Sequence, residues 1–197
     1  MTPKEIFKIV VLGPESTGKS TLCKSLSHHY HSLWCPEYAR EFLTIHGKNY
    51  SYEDLLVIAQ GQIKMEDEFI LQAIKHGKQT GSESNLLFID TNMYVMKVWC
   101  EFVFGNCHQW IIDQIVSRPY DLYLLCNTDL PWVADDLREY PDDETRKKLY
   151  HHYKDLLINQ DVPWKEISGS NEERVNMAIR HVDEFIHTRS ALTRSHS

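Results

Sequence analysis

The stretch that decides the fold is Gly13-Pro14-Glu15-Ser16-Thr17-Gly18-Lys19-Ser20-Thr21. It matches G-x-x-x-x-G-K-[ST], the pattern of a phosphate-binding loop, or P-loop. Its glycines allow a tight turn whose backbone N–H groups face an anion, and a following helix adds the positive end of its dipole. The motif therefore predicts that this chain holds the phosphates of a nucleotide.

The sequence on either side of the loop has the character that such a loop needs. Residues 6–12 are mostly apolar and β-branched, which predicts a buried strand. Residues 22–30 contain neither Gly nor Pro and place Leu22 and Leu26 at helical spacing. A strand before the motif and a helix after it argue against a chance match.

Roles within the loop follow from nucleotide chemistry. We expect Lys19 to reach the β- and γ-phosphates of ATP and the Ser20 hydroxyl to ligate Mg²⁺. The loop residues predicted to bind ATP are Gly13, Glu15, Ser16, Thr17, Gly18, Lys19, Ser20 and Thr21.

Length and composition describe an ordinary globular protein. The 197 residues, 42% of them apolar and 25% charged, predict one domain over 1–189 and a patternless tail, 190–197, that we expect to be disordered. The net charge of -7 argues against a nucleic-acid partner. No apolar run is as long as a membrane span, and five scattered cysteines without a C-x-x-C pair are typical of reduced, cytoplasmic thiols. The oligomeric state is left open, a homo-oligomer included.

A second candidate segment contains Glu37 and Arg40. It follows a short apolar stretch, 33–36, that predicts another strand. Loops at the carboxyl ends of strands line the ligand crevice in sheets of this kind, so both side chains would face the ligand. The alternative is an ordinary i,i+3 pair on a helix surface, and this segment alone does not decide between the two.

A third candidate is Asp90, which ends the apolar run 86–89. An aspartate at the end of such a strand lies near the P-loop and holds Mg²⁺ directly or through water. The alternative is that Asp90 caps the next helix, as aspartate often does. With a P-loop in the same chain, the pattern favours the metal role.

The connection 127–148, which follows a further predicted strand at 121–126, is rich in charged and aromatic residues. Arginines in such a connection can close over the phosphates of ATP as a lid, and Arg138 and Arg146 are the candidates. The alternative is a solvated loop whose charges balance one another, and the segment taken alone favours that alternative.

Together, the P-loop, the Glu37 and Asp90 segments and Pro131-Trp132-Val133-Ala134-Asp135-Asp136-Leu137-Arg138 resemble the kinase domain of NadR-type proteins, the ribosylnicotinamide kinases. The resemblance runs over about 7–185. It implies an α/β fold of the P-loop NTPase class, nucleoside/nucleotide kinase-like, with a five-stranded parallel sheet and helices on both faces. It also implies transfer of the ATP γ-phosphate to the 5′-hydroxyl of nicotinamide riboside, giving nicotinamide mononucleotide.

Joined to the residues, the resemblance assigns roles at the acceptor site. Trp132 would stack on the cationic pyridinium ring of nicotinamide riboside, unless it only packs beneath the lid, and Asp135 would favour the same ring. Glu37 or Asp90 would accept the hydroxyl proton. The predicted catalytic residues are Lys19, Glu37, Asp90 and Arg138. The predicted acceptor-binding residues are Glu37, Tyr38, Arg40, Asp90, Trp132 and Asp135.

Two other functions stay open at this point. One is a kinase for another nucleoside or for a nucleoside monophosphate. The other is a regulatory P-loop ATPase that transfers phosphate only to water. A GTPase switch is disfavoured, because Asn127 is followed by Thr128 where N-K-x-D needs a lysine, and no D-x-x-G begins at Asp90.

Overall fold

The computed structural model describes residues 6–80, 85–137 and 139–195. Its centre is one sheet whose five strands all run parallel. The strands are β1 (Ile6–Leu12), β2 (Leu33–Cys35), β3 (Asn85–Asp90), β4 (Leu122–Cys126) and β5 (Trp164–Ile167). They lie in the order β2-β3-β1-β4-β5, so the strand that leads into the P-loop is central. The expected five-stranded parallel sheet is confirmed.

Helices connect successive strands and cover both faces of the sheet, as parallel pairing requires. The described helices are α1 (Lys19–His29), α2 (Tyr38–His46), α3 (Tyr52–Thr80), α4 (Met93–Phe104), α5 (Gln109–Ser117), α6 (Asp143–Ile158) and α7 (Asn171–Ser195).

The continuous apolar run of β1 is explained by burial on both sides. Val10 and Leu12 are fully buried in a cluster with side chains of α3, α4 and α6. Ile9 and Val11 are fully buried in a second cluster with side chains of α1 and α7. Each such side chain stabilises the fold by about 1.5–3 kcal/mol, and the alternation anchors β1 firmly beneath the P-loop.

Parallel strands bring the loops at their carboxyl ends to one edge of the sheet. Val11 pairs with Asp90 of β3, and Leu12 pairs with Leu125 of β4. The loops that follow β1, β3 and β4 therefore begin side by side, at the edge where open α/β sheets bind ligands. Side chains of α2, α3, α4 and α5 form a third apolar cluster.

Helix α3 runs to Thr80, and α7 runs to Ser195, within the patternless segment at 190–197. No proline interrupts either helix near its end. In the described part of the chain, every helix is too short or too polar to traverse a lipid bilayer.

Candidate active site

The P-loop joins β1 to α1 by a turn that only glycine permits at two positions. Gly13 has φ 142°, and a Cβ there would lie 2.7 Å from the Cys126 carbonyl oxygen of β4. Gly18 has φ 77° and begins α1 without a side-chain cap, so the N–H groups of the first turn are available to an anion. Lys19 folds back over the loop and donates from Nζ to the Pro14 carbonyl oxygen at 2.9 Å.

Two buried arginines support the P-loop from inside the protein. Arg174 of α7 donates to the Thr17 carbonyl oxygen at 3.1 Å and also binds the Asp129 carboxylate. Arg146 of α6 donates to the Leu130 carbonyl oxygen at 3.0 Å and to the Ser16 carbonyl oxygen at 3.4 Å. Both guanidinium groups therefore hold carbonyl groups that the tight turn directs away from the phosphate side.

Arg146, a lid candidate in the sequence, is buried in a helix. Asp142 caps α6 by accepting from the Thr145 N–H at 2.7 Å, which places Arg146 in the first turn. Arg138, the other lid candidate, lies outside the described residues. Sequence reasoning missed Arg174, although its i, i+4 and i+8 spacing with Ala178 and Val182 places it on the buried stripe of α7.

Asp90 lies beside the P-loop at the end of β3 and is 1% exposed. It is not the cap of the next helix, because Asn92 caps α4 by accepting from the Tyr94 N–H at 3.1 Å. Burial raises the pKa of the Asp90 carboxyl, against the opposing effects of the Lys19 charge and a hydrogen bond from Ser20. The helix-cap alternative is therefore wrong.

The surroundings of Asp90 fit a hard cation. Its Oδ1 atom is buried and accepts no hydrogen bond from the residues that the structure describes. A buried carboxylate oxygen without a donor is costly unless a cation or a proton meets it. Carboxylate and hydroxyl oxygens, here from Asp90 and Ser20, are ligands that suit Mg²⁺ in nucleotide sites. Within the described residues, no three His, Cys, Asp or Glu side chains converge into a separate metal site.

Glu37 stands next to Asp90 across the crevice. It occupies the N-cap position of α2 and accepts from the Thr91 hydroxyl at 3.4 Å. It also lines a cavity that opens beside the P-loop. Thr91 has φ 81°, a strained value for a β-branched residue, and this conformation turns its hydroxyl towards Glu37. Burial raises the pKa of the Glu37 carboxyl, and the Asp90 charge raises it further. Two neighbouring carboxyl groups with raised pKa values are typical of functional sites.

The alternative of a surface pair between Glu37 and Arg40 is not the arrangement found. The Arg40 guanidinium binds the Asp135 carboxylate at 2.6 Å, which joins α2 to the connection after β4. Arg40 lines the cavity but Asp135 does not. The pair therefore lies at the rim of the site, with Glu37 inside it.

A cavity of about 200 Å³ opens beside these groups and has two chemically different walls. The polar wall is formed by the P-loop, Glu37 and Arg40. The aromatic wall is formed by Trp99 and Phe102 of α4 and by Tyr140. The cavity thus places phosphate-binding groups and a flat apolar surface around one volume, which suits a ligand with both a polar and an aromatic part.

Two predicted acceptor-binding residues lie elsewhere. Tyr38 packs its ring against Gly61 of α3 so closely that a Cβ on Gly61 would lie 2.1 Å from it. Trp132 is absent from the cavity lining, and the backbone beside it binds the Ser16 hydroxyl, which accepts from the Val133 N–H at 2.9 Å. The structure therefore gives Tyr38 a packing contact, and it binds the backbone on either side of Trp132 to the Ser16 hydroxyl of the P-loop.

The aromatic wall is tied to the P-loop by Glu15. Its carboxylate accepts from the N–H groups of Glu139 and Tyr140 at 2.9 and 3.2 Å. Charge-assisted hydrogen bonds of this kind are stronger than neutral ones. The part of the connection at 139–140 is thus held across the cavity by a side chain of the phosphate-binding motif.

The fold and this loop together define a P-loop NTPase-like protein. The chain matches the family described as AAA domain (AAA_28) over residues 8–174, and it belongs to that family. The match spans the P-loop, Asp90 and the connection after β4.

Curated relatives of similar sequence are NadR proteins. The chain is 27% identical over 169 residues to the trifunctional NAD biosynthesis/regulator protein NadR of Escherichia coli, covering 84% of this chain and 39% of that protein. The corresponding protein of Salmonella typhimurium is 26% identical over 175 residues, covering 86% and 40%. The chain therefore spans about two fifths of the length of these relatives.

Solved structures of similar fold include two kinds of protein. A NadR protein in complex with NR superimposes with a TM-score of 0.70 at 19% identity, covering 91% of this chain and 49% of that one. Thymidylate kinase from Ehrlichia chaffeensis gives a TM-score of 0.61 at 13% identity, covering 92% and 98%. At these identities the likeness concerns the fold, and it confirms the expected nucleoside/nucleotide kinase-like architecture.

Proposed function

We propose that this protein is an ATP-dependent kinase that transfers the γ-phosphate to the 5′-hydroxyl of nicotinamide riboside, giving nicotinamide mononucleotide. The observation that carries the proposal is the shared cavity: the P-loop, the Glu37 carboxyl group and an aromatic wall surround one volume, and the buried Asp90 carboxyl group lies beside the loop at the end of β3. Phosphoryl transfer needs this combination, because catalysis consists mainly of positioning and charge neutralisation.

Several residues in and around the polar wall contribute to charge neutralisation. Lys19 and the N–H groups at the start of α1 bind the ATP phosphates. Ser20 and Asp90 would hold Mg²⁺, which would supply positive charge against the charge that develops on the transferred phosphoryl group. Gly13 and Gly18 let the backbone approach the phosphates, while Arg146 and Arg174 keep the loop in shape.

Glu37 is the better candidate for the group that accepts the hydroxyl proton. It lines the cavity, whereas Asp90 does not line it and accepts a hydrogen bond from Ser20. The raised pKa of Glu37 brings its basicity closer to neutral pH, where a general base is most effective. The hydrogen bond from Thr91 fixes its orientation.

The charges of the cavity favour an acceptor without a phosphate of its own. Among the described lining residues the cations are Lys19 and Arg40, and Arg40 is already bound to Asp135. Lys19 is needed for ATP. Glu15, Glu37 and Glu139 also line the cavity, and their negative charge favours a neutral or cationic acceptor such as nicotinamide riboside.

The relatives support the same acceptor. Both curated relatives are described as NAD biosynthesis/regulator proteins, and solved NadR structures contain NR or NAD with AMP-PNP. Because the chain spans only about two fifths of the curated relatives, their other activities are not part of the proposal. The five cysteines are free thiols, four of them buried, which agrees with the reducing cytoplasm as the place of action.

A nucleoside monophosphate kinase is the second candidate, because the thymidylate kinase fold matches nearly all of that smaller chain. One experiment separates the candidates: purified protein with ATP and Mg²⁺ is given nicotinamide riboside, thymidine, uridine or thymidine monophosphate, and products are identified by mass. Nicotinamide mononucleotide as the main product supports the proposal. Preferred phosphorylation of thymidine monophosphate overturns it, and ATP hydrolysis without any phosphorylated acceptor points to the regulatory ATPase.

A further inference from the structure

Trp99 is the largest flat side chain on the cavity wall, and its orientation is fixed from behind. Its indole Nε1 donates to the Tyr50 hydroxyl at 2.9 Å, and the Tyr50 ring meets the indole edge at a centroid distance of 5.0 Å and 77°. This hydrogen bond and the ring contact together fix the plane of the indole. The contacts leave the half-buried indole with one side towards the cavity.

The chain of hydrogen bonds continues to a carboxylate. The Tyr50 hydroxyl donates to the Glu139 Oε2 atom at 2.8 Å, and burial raises the pKa of that hydroxyl, which keeps it protonated as a donor. Glu139 is itself a cavity residue, and its N–H is held by Glu15. Trp99, Tyr50, Glu139 and the P-loop therefore form one connected arrangement.

Two further rings complete the aromatic wall. Phe102 and Tyr140 meet edge-to-face at a centroid distance of 5.3 Å and 88°, and both line the cavity. Aromatic side chains held in this way present rigid surfaces that lose little entropy when a ring binds. An indole face beside a carboxylate attracts a positively charged ring in particular, because the ring quadrupole and the carboxylate act with the same sign.

We infer that Trp99 is the surface on which the base of the acceptor stacks, with Tyr50 and Glu139 as the residues that position it. The ligand class is a flat, electron-poor or cationic heteroaromatic base. The inference rests on the proposed function for the identity of the acceptor and deepens it by naming the specificity-determining side chain. It replaces Trp132 in that role, because Trp132 is absent from the cavity lining.

The test uses a probe that cannot be phosphorylated. 1-Methylnicotinamide is a pyridinium cation without ribose, and nicotinamide is its neutral counterpart. Binding is followed by saturable quenching of tryptophan fluorescence in wild type, Trp99→Leu and Trp132→Leu. Trp110→Leu is the matched control, since Trp110 is half-buried on α5 and does not line the cavity.

We expect wild type to bind the cationic probe about two- to thirty-fold more tightly than the neutral one, the range that a cation–π contact supplies. Trp99→Leu should abolish this preference and the saturable quenching, while Trp132→Leu and Trp110→Leu retain both. Loss of quenching in Trp132→Leu with its retention in Trp99→Leu overturns the inference. Equal affinity of the wild-type protein for the cationic and the neutral probe also overturns it.

Tyr50→Phe tests the positioning role. It keeps the ring and removes both hydrogen bonds, so the indole loses its orientation without a change in apolar contact. The expected result is a rise of about three- to ten-fold in KM for the acceptor, corresponding to the loss of about one hydrogen bond, with kcat and KM for ATP nearly unchanged. Equal changes in both KM values indicate a purely structural role and overturn the assignment.

Failure of the inference and failure of the proposed function can be distinguished. If wild type binds the cationic probe through Trp99 but forms no nicotinamide mononucleotide, the aromatic subsite stands and the acceptor is wrong. If nicotinamide mononucleotide is formed and Trp99→Leu has wild-type kinetics and probe binding, the function stands and the stacking model falls.

Discussion

The two walls of the cavity are built in different ways. The polar wall consists mainly of consecutive residues, 13–21, whose backbone shape is enforced by glycine geometry at Gly13 and Gly18. The aromatic wall is assembled from α4 and from the connection after β4, which meet only in the folded chain. The comparison teaches that phosphate binding is encoded locally, whereas recognition of the acceptor depends on how distant segments pack.

The largest effect is expected when the positive charge of Lys19 is removed from the polar wall. Lys19→Ala should reduce kcat/KM by about 10³-fold or more, since a cation aimed at the transferred group acts mainly on the transition state. The fold should persist, because Lys19 is half-buried and its hydrogen bond is to a loop carbonyl, that of Pro14. Steady-state kinetics and a thermal melt are the measurements. Wild-type activity in this variant would show that the P-loop does not serve catalysis.

A somewhat smaller loss is expected from Glu37→Gln, which removes the proposed base. Turnover should fall by about 10²–10³-fold, within the range of general-base catalysis. Trp99→Leu in the same assay should affect mainly KM for the acceptor. A Glu37→Gln enzyme with full kcat would move the proton-accepting role to Asp90.

The same variant has an expected effect on stability. The folded-state pKa of Glu37 is raised, so the native state binds the carboxyl proton more tightly than the unfolded state does. Wild-type stability therefore falls as the pH rises from the ordinary glutamate pKa to the raised one. Glu37→Gln has no titrating carboxyl group at this position, so its stability does not fall in this way. Its Tm should exceed that of wild type at pH 8 and approach it at pH 4; the opposite trend would contradict the assigned shift.

Asp90→Asn tests the proposed metal ligand beside the polar wall. The Mg²⁺ concentration for half-maximal activity should rise by about 10–100-fold and kcat should fall, because the amide oxygen is a weaker ligand for a hard cation. The control is Asp129→Asn, which alters a carboxylate that binds Arg174 and does not line the cavity. An unchanged Mg²⁺ titration in Asp90→Asn would exclude this residue from metal binding.

The smallest effect tests the link between the walls. Glu15→Ala removes the acceptor for the N–H groups of Glu139 and Tyr140, so the aromatic wall should lose its anchor. We expect KM for the acceptor to rise by about ten-fold, near the cost of one charge-assisted hydrogen bond, and KM for ATP to change less. A larger effect on ATP would mean that Glu15 acts within the P-loop alone.

Sequence patterns were sufficient to predict the position of site residues whose role depends on their neighbours in the chain. The P-loop lies between β1 and α1 and Asp90 ends β3, as expected. Glu37 caps α2 and lines the cavity, which is one of the two alternatives that its segment left open. Each of these positions follows from a strand end and the motif beside it. Parallel pairing then brings the strand ends together without further information.

Patterns failed where side-chain direction decides the role. Trp99 lies on the same apolar stripe of α4 as Val95, so its spacing resembles that of a core residue. Trp132 belongs to the segment most specific to the resemblance, yet it lies outside the cavity lining. Arg146 was expected in a mobile lid and is buried in a helix.

The sequence by itself determined that this protein has a P-loop before a helix, a parallel sheet and an acidic strand end beside the phosphates. These features depend on backbone geometry and on periods of two or 3.6 residues, which are local properties of the chain. Only the tertiary structure decided which aromatic side chains line the cavity and which arginines brace the loop. Those choices depend on long-range packing and on hydrogen bonds such as Arg174 to Thr17, between residues that no local pattern connects.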